Sequence, residues 1–254
     1  MERIAEAICP EKCGLAIEIG PGRGSLTDHL LRRAERVIAI EIDPVLVEYL
    51  RAKYRNETRL TIVESDVLKA DLAQWGPAVI AGNLPYYITS PIVEQVLRLG
   101  TLASHAVFLV QKEVAERMTS GPGSRDYGYL SVLTQFYTQA ELLFTIPPEA
   151  FRPPPKVDSA VVRLTPFTRS VPENAKGFLG FASQCFRQKR KTLKNNLQGS
   201  FRKEDLANLP ETAKRAEQMS IPELMDLFHK LRAAANSARS ELLEPTDSPQ
   251  SDLS

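Results

Sequence analysis

The chain has 254 residues, which fits one large domain or one main domain with a small appendage. Hydrophobic residues make up 43% and charged residues 25%, and the net charge of +1 points to neither an acidic nor a basic partner. No apolar run approaches the roughly 20 residues that span a bilayer, and the amino terminus has no signal-peptide pattern. These features exclude the membrane-spanning class and predict a cytoplasmic protein.

The three cysteines, Cys9, Cys13 and Cys185, are too few for a disulfide framework. Cys9 and Cys13 have no second Cys/His pair at zinc spacing. We therefore expect three reduced thiols and no bound metal.

Short apolar strands alternate with helices through the first two-thirds of the chain. Strands are predicted at residues 15–20, 36–43, 59–66, 77–83 and 105–111. The helices between them include "SLTDHLLRRA", "PVLVEYLRAKY" and "SPIVEQVLRLG", the last with Gly100 as its C-cap, and "KEVAERM" follows the fifth strand. This alternation predicts an α/β fold with a parallel, doubly wound sheet and right-handed crossovers.

The pattern changes after Gly121. "LSVLTQFY" is typical of a helix, and "AELLFTIP" and "SAVVRLTP" are typical of strands that would close the sheet as an antiparallel pair. Residues 166–172 form a candidate hinge, and only helical patterns follow it. The predicted organisation is a catalytic domain at residues 1–168, a helical domain at 173–235 and a disordered tail at 236–254.

Glycines 20, 22 and 24 lie between the first strand and its helix, in "EIGPGRGSLTDHL". Ligands bind at the carboxyl ends of strands in open α/β sheets. Glu41 ends the next strand, 21 residues after Gly20, where a carboxylate could accept from both ribose hydroxyls. Asp66 ends the third strand and could accept from an adenine amino group. The run lacks the later glycine of the dinucleotide fingerprint, so it favours an adenosine ligand without a pyrophosphate, such as S-adenosylmethionine.

The fourth strand leads into Asn83-Leu84-Pro85-Tyr86, followed by Tyr87. This stretch resembles the signature of methyltransferases that act on exocyclic amino nitrogens. An adenine N6 amino group is a poor nucleophile, and acceptors for its N–H groups would favour a more tetrahedral nitrogen. Asn83 Oδ1 and the Leu84 carbonyl could be those acceptors, while Pro85 stiffens the turn. Tyr86 would stack on a flipped base, and Tyr87 would belong to the core.

Two later segments narrow the resemblance. "FRPPPKVDSAVV", residues 151–162, resembles a block of the rRNA adenine N6,N6-dimethyltransferases, and "FRQKRKTLKNNL", residues 186–197, resembles the signature of their small-subunit branch. Residues 187–203 carry seven basic and no acidic side chains. The basic residues of this segment are therefore predicted to contact RNA phosphates. Those singled out are Arg187, Lys189, Arg190, Lys191 and Lys194.

Over residues 4–231 the chain is thus similar to the KsgA-type family. The resemblance implies a Rossmann-like S-adenosylmethionine-dependent methyltransferase fold with a small all-helical C-terminal domain. It also implies dimethylation of N6 of two adjacent adenosines in the 3′-terminal hairpin loop of 16S rRNA, with four S-adenosyl-L-methionine molecules, late in assembly of the 30S subunit. The expected partner is 16S rRNA within 30S, and the expected state is a monomer.

The resemblance also assigns the site. The cofactor-binding residues it implies are Gly20, Gly22, Glu41, Ile42, Asp66, Val67 and Asn83. The predicted catalytic residues are Asn83, Leu84, Pro85, Tyr86 and Phe151. Phe151 precedes a stiff "RPPPK" segment whose prolines would fix its ring, and it is predicted to face Tyr86 across the flipped adenine.

Two alternatives stay open. Erm-type enzymes dimethylate one adenine of large-subunit rRNA and share the first three motifs, but generally not "KRKTLKNNL". A non-catalytic relative could act as an RNA-binding assembly or transcription factor, although the intact Asn83-Leu84-Pro85-Tyr86 argues against lost chemistry. Family members usually carry a "GQNFL"-like segment before the glycine loop, and the 17 residues before Glu18 do not match it. Either the true start lies upstream or the cofactor pocket is open on one side.

Overall fold

The computed structural model describes residues 1–84, 88–168, 172 and 174–241. The chain divides into two compact units, Met1–Glu173 and Asn174–Ser254. The strands are β1 Cys13–Ile19, β2 Ala34–Glu41, β3 Leu60–Glu64, β4 Ala78–Asn83, β5 Ala103–Gln111, β6 Thr138–Ile146 and β7 Ser159–Pro166. The helices of the first unit are α1 Glu2–Ile8, α2 Thr27–Arg33, α3 Pro44–Lys53, α4 Thr89–Leu97, α5 Lys112–Thr119 and α6 Tyr129–Tyr137. Those of the second are α7 Ala175–Cys185, α8 Leu193–Leu197, α9 Lys203–Ala207 and α10 Ile221–Glu241.

The first unit contains one seven-stranded sheet in the order β3-β2-β1-β4-β5-β7-β6. β1 to β5 are parallel, whereas β7 runs antiparallel to both β5 and β6. The predicted parallel sheet and its antiparallel closing pair are confirmed. Because β1 lies between β2 and β4, the carboxyl ends of β3, β2, β1 and β4 follow one another along a single edge.

Uninterrupted buried runs explain why the central strands form the core. Residues 16–19 of β1 and 37–40 of β2 are buried without interruption, as expected for parallel strands covered on both faces. β6, at the edge of the sheet, has a more exposed pattern. Helix α3 begins where Asp43 accepts a hydrogen bond from Val45 N and Pro44 occupies the first turn, so the chain turns sharply after β2.

Two details of the first unit differ from expectation. Helix α4 ends with Arg98 as its C-cap, and Gly100, with φ of 56°, begins a short 3-10 helix, so Gly100 is not the C-cap. Cys9 and Cys13 form a disulfide between the end of α1 and the start of β1, so the prediction of three reduced thiols is wrong for this pair. Their Cα atoms are 5.8 Å apart, a separation typical of disulfides. Cys185 is free and buried.

The described residues of the second unit form helices and turns, as the sequence pattern predicts. An aromatic cluster holds α7 against α10: the ring centroids of Phe178 and Phe228 are 6.0 Å apart, and those of Phe181 and Phe228 are 5.4 Å apart. α10 continues to Glu241, within the segment predicted as a tail, and residues 242–254 lie outside the described part. Within the described part, every helix is too short or too polar to cross a bilayer.

Candidate active site

Four adjacent strand ends build the candidate site at one edge of the sheet. Beyond β1, Gly20 N donates to Ile40 O at 3.0 Å, and beyond β3, Ser65 N donates to Glu41 O at 2.9 Å. The loops therefore stay in register for a residue or more after their strands end. This brings Gly20, Glu41, Asp66 and Asn83, which are distant in sequence, to a common edge, as the sequence predicts.

The glycine loop after β1 adopts a conformation that few other residues tolerate. Gly20 has φ of 67° and Gly22 has φ of 58°, both in the left-handed region. A Cβ added to Gly22 would meet no atom within 4 Å, so open space lies beside this backbone. A Cβ added to Gly20 would lie 3.9 Å from the Asn83 carbonyl oxygen, which shows that the glycine loop and the Asn83 turn are neighbours.

Glu41 ties the glycine loop to the end of β2. Its Oε2 accepts a hydrogen bond from Gly22 N at 3.1 Å, and its Oε1 accepts from Ile42 N at 2.9 Å and Asp43 N at 3.1 Å. The residue is only 6% exposed. A carboxylate has about four acceptor positions. Three are in use, so Glu41 has room for about one further donor rather than the two ribose hydroxyls expected.

Asp66 begins the 3-10 helix Val67–Lys69, and its Oδ1 accepts from Leu68 N at 3.0 Å. Within the described residues its Oδ2 has no partner, which leaves an acceptor for an amino group. Gln95 of α4 supports this turn, because its Nε2 donates to Val67 O at 2.7 Å and to Ala70 O at 2.9 Å. The sequence did not predict this supporting role of Gln95. The only signal was that this polar residue lies among the buried residues of α4.

The edge also presents apolar side chains to solvent. Ile42, which follows Glu41, is 65% exposed. Leu68, which lies two residues beyond Asp66, is 41% exposed. The side chain of Val67 is buried, and its contact with the cofactor stays a prediction. Exposed aliphatic groups beside an unpaired carboxylate oxygen suit a flat ring with an exocyclic amine. The residues present therefore fit the adenosine part of S-adenosylmethionine.

Tyr54, which follows α3, braces the glycine loop from behind. Its hydroxyl lies 3.0 Å from Gly24 O and 2.7 Å from Asp28 Oδ1, and Lys53 Nζ lies 2.8 Å from Asp28 Oδ2. Burial and the hydrogen bond to Asp28 raise the pKa of Tyr54 to about 12, so the phenol remains a donor. A Cβ on Gly24 would collide with the Tyr54 ring. The separation of 30 positions between these partners explains why sequence patterns did not reveal the contact.

A buried acid lies beneath the same loop. Glu18 of β1 is 1% exposed and accepts a hydrogen bond from Thr27 Oγ1 at 2.6 Å. Burial raises the pKa of Glu18 to about 7, and the charges of Asp28 and Glu41 act in the same direction. Glu18 therefore titrates near neutrality although it lies in the core.

The Asn83 turn is built on close contact between β1 and β4. A Cβ on Gly82 would lie 2.8 Å from Ile19 O, so only glycine allows this approach. Asn83 is exposed, and its side chain makes no hydrogen bond to the described residues. Leu84 anchors the turn, because its side chain is 1% exposed and its N–H donates to Leu109 O at 3.0 Å.

The remaining predicted catalytic residues are only partly described. Pro85, Tyr86 and Tyr87 lie outside the described residues, and so does the expected stacking on Tyr86. Phe151 is half-buried and packs against the hydrophobic core cluster that contains Leu109. Its contact with a flipped base stays a prediction.

The second unit carries the predicted RNA-binding residues on its surface. Arg187, Lys189, Arg190, Lys191 and Lys194 are all exposed. Four of them form no salt bridge within the described part of the chain: Arg187, Arg190, Lys191 and Lys194. Their charges are therefore available to an external anion.

The sheet order, the reversed β7 and the glycine loop beside strand-end carboxylates define the class of Rossmann-like methyltransferases. A family model described as ribosomal RNA adenine dimethylase matches residues 1–232. The chain belongs to the ribosomal RNA adenine dimethylase family.

The names of individual relatives are consistent with this family. The chain is 40% identical to the ribosomal RNA small subunit methyltransferase A of Koribacter versatilis, over 91% of this chain and 89% of the relative. Its fold is similar to that of a dimethyladenosine transferase from Plasmodium falciparum, with a TM-score of 0.75, 25% identity and coverage of 92% and 96% of the two chains. It is also similar to the 23S rRNA methyltransferase ErmE, with a TM-score of 0.64, 28% identity and coverage of 91% and 96%.

Proposed function

We propose that this protein dimethylates N6 of two adjacent adenosines in the 3′-terminal hairpin loop of 16S rRNA, within the 30S subunit and with S-adenosylmethionine as methyl donor. It would act as a monomer in the cytoplasm, where ribosomal subunits are assembled, and without a metal. The observation that carries the proposal is the exposed Asn83 held against the glycine loop at the carboxyl edge of the sheet. Family membership supports the reaction type.

The cofactor would lie along the edge from Gly20 to Asp66. Gly20 and Gly22 would let backbone approach it closely, Glu41 would accept from the ribose, and Asp66 Oδ2 would accept from the adenine amino group. Bound S-adenosylmethionine would supply an electrophilic methyl group on a sulfonium. Because Glu41 already holds Gly22, the ribose contact and the shape of the glycine loop depend on the same carboxylate.

Asn83 and Leu84 would prepare the target base. The N6 amine of a flipped adenine would donate to Asn83 Oδ1 and to the Leu84 carbonyl, which localises the nitrogen lone pair. Leu84 fixes this geometry through its buried side chain and its bond to Leu109 O. Pro85 would stiffen the turn, while Tyr86 and Phe151 would stack on the two faces of the base.

The small-subunit substrate is favoured over the large-subunit one for two reasons. The relative with 40% identity is named as a small-subunit enzyme. The segment at residues 187–203, with seven basic and no acidic residues, also resembles the small-subunit branch rather than the Erm-type branch. The Erm-type reaction remains the second candidate, because ErmE has a similar fold.

A substrate panel tests the proposal. Purified protein is incubated with S-adenosylmethionine and immature 30S, 50S or naked 16S RNA, and dimethyladenosine is measured by mass spectrometry. We expect two adjacent dimethyladenosines in 30S and none in 50S. Methylation of 50S would establish the Erm-type alternative, and binding of 30S without any methylation would establish a non-catalytic role. Asn83→Ala is the control for contaminating activity.

A further inference from the structure

A polar cavity of about 450 Å³ opens on the second unit, between the end of α7 and the residues around α8. Its lining includes the side chains of Gln184, Arg187, Gln188, Asn195, Asn196 and Gln198. Every described residue that lines it is polar or glycine, and none is acidic. Its volume lies within the roughly 300–1,000 Å³ of small-molecule sites.

Asn196 gives the cavity a fixed floor. Its Nδ2 donates to Cys185 O at 2.8 Å and to Gln188 O at 3.2 Å, and its Oδ1 accepts from Gln188 N at 3.1 Å. One amide thus ties α8 to the end of α7 and to the start of the basic segment. The backbone on this side of the cavity is therefore fixed by a specific hydrogen-bond network.

The other amides of the cavity contrast with Asn196. The side chains of Gln184, Gln188, Asn195 and Gln198 make no hydrogen bond to any described residue, and all four are exposed. Each amide offers two donors and a carbonyl acceptor. A group of amides that both donate and accept is suited to a ligand whose edge also carries both donors and acceptors.

The composition of the cavity selects among ligands. A phosphate only accepts and is bound by Arg and Lys, whereas a cation requires carboxylates, which are missing from this lining. Nucleobases present donors and acceptors side by side, and Asn and Gln read such edges. Arg187, which also lines the cavity, could stack on a base or hold its phosphate, and the exposed Arg190, Lys191 and Lys194 lie in the same segment.

We propose that this cavity binds one unpaired nucleotide of the RNA substrate, with its base edge on Gln184, Gln188, Asn195 and Gln198 and its phosphate toward Arg187. The inference rests on the proposed function and extends it, because it adds a contact to a base to the phosphate contacts of the basic segment. Bases in an RNA duplex keep their edges paired, so unpaired RNA should be preferred.

The test compares RNA affinity of the full chain and of a Gln184→Ala/Asn195→Ala double variant. The probes are a single-stranded RNA and a blunt RNA duplex with equal numbers of phosphates, each measured by fluorescence anisotropy at several salt concentrations. Asn208→Ala is the matched control, since Asn208 is an exposed amide of the same unit outside the cavity. Melting temperatures verify that all variants are folded.

We expect the double variant to bind single-stranded RNA about five- to thirty-fold more weakly, from the loss of two hydrogen-bonding side chains. Its affinity for the duplex and its salt dependence should be those of the wild type, because amides neutralise no phosphate. Equal losses on both RNAs, or equal affinity of the wild type and the double variant for the single strand, would each overturn the cavity proposal.

Failure of the cavity proposal is distinguishable from failure of the proposed function. A wild type that methylates 30S while the double variant binds single-stranded RNA normally would refute the cavity alone. A wild type that neither binds RNA nor methylates 30S would refute the function, and the cavity proposal with it.

Discussion

The candidate active edge of the first unit and the basic surface of the second use polar groups in opposite ways. At the edge, Glu41 accepts three backbone hydrogen bonds and Tyr54 braces Gly24, so the groups are fixed before any ligand arrives. On the basic surface, Arg190 and Lys191 form no salt bridge within the described residues. The difference separates two tasks: preorganised acceptors suit a bound cofactor, and unpaired cations suit a phosphate backbone.

Asn83→Ala should have the largest effect, a loss of catalysis at the candidate active edge of the first unit. Loss of one polar group that hydrogen-bonds the reacting centre typically costs roughly 10²–10³ in rate. We expect methyl transfer to 30S to fall by that factor, while melting temperature and 30S affinity stay unchanged, because the exposed Asn83 side chain supports no described contact. Turnover at the wild-type rate would show that Asn83 is not the N6 acceptor.

Replacement of Lys189, Arg190 and Lys191 by alanine should weaken RNA binding by the basic surface of the second unit. Each phosphate that a side chain no longer neutralises lowers the salt slope by roughly 0.7–0.9, so we expect a slope smaller by about 2–3 and an affinity for 30S about 10- to 100-fold lower. Cofactor affinity, measured by calorimetry, should not change. If the full salt slope persists, these three cations are only a solvated face of the second unit.

Glu41→Ala should weaken cofactor binding by about tenfold or more, since a hydrogen bond to a charged group contributes about 1.5–3 kcal/mol and the glycine loop loses its tether as well. Calorimetry with the cofactor measures the dissociation constant. The control is Glu35→Ala, at the exposed opposite end of β2, which should bind as the wild type does. Unchanged affinity in Glu41→Ala would mean that the ribose lies elsewhere.

Tyr54→Phe should have a smaller effect of the same kind. Removing the hydroxyl frees Gly24 O and Asp28, and a net hydrogen bond of about 1 kcal/mol corresponds to a roughly fivefold weaker cofactor affinity. Tyr49→Phe changes an exposed tyrosine of the preceding helix, α3, and serves as the control. Identical cofactor affinities for both variants would show that the brace does not shape the loop.

Glu18→Gln sharpens the comparison through stability and pH rather than through cofactor affinity. The folded pKa of about 7 lies above the ordinary value of 4.5, so the folded protein binds more protons between these values. Stability contributed by the protonated acid is complete below about 4.5 and is lost as pH rises through about 7. The variant should therefore melt a few degrees above the wild type at pH 8 and match it at pH 4.5. A difference that is constant with pH would contradict this.

Strand positions and the glycine, Glu41 and Asn83 edge were predictable, because buried runs and strand-end residues have sequence patterns. The side chains that brace the site were not predictable from the sequence. Tyr54 meets Gly24 across 30 residues, and Gln95 of α4 supports a turn 25 to 28 residues away, so both depend on tertiary folding. The Cys9–Cys13 bond was missed for a related reason: the pairing requires a helix end and a strand start to face each other.

The division of labour between the two surfaces is tested most directly by steady-state methylation of 30S by the wild type, Asn83→Ala and the triple alanine variant of residues 189–191. We predict that Asn83→Ala lowers kcat by roughly 10²–10³ with unchanged KM, and that the triple variant raises KM with unchanged kcat. A triple variant with reduced kcat at saturating 30S, or an Asn83→Ala variant altered only in KM, would contradict the account.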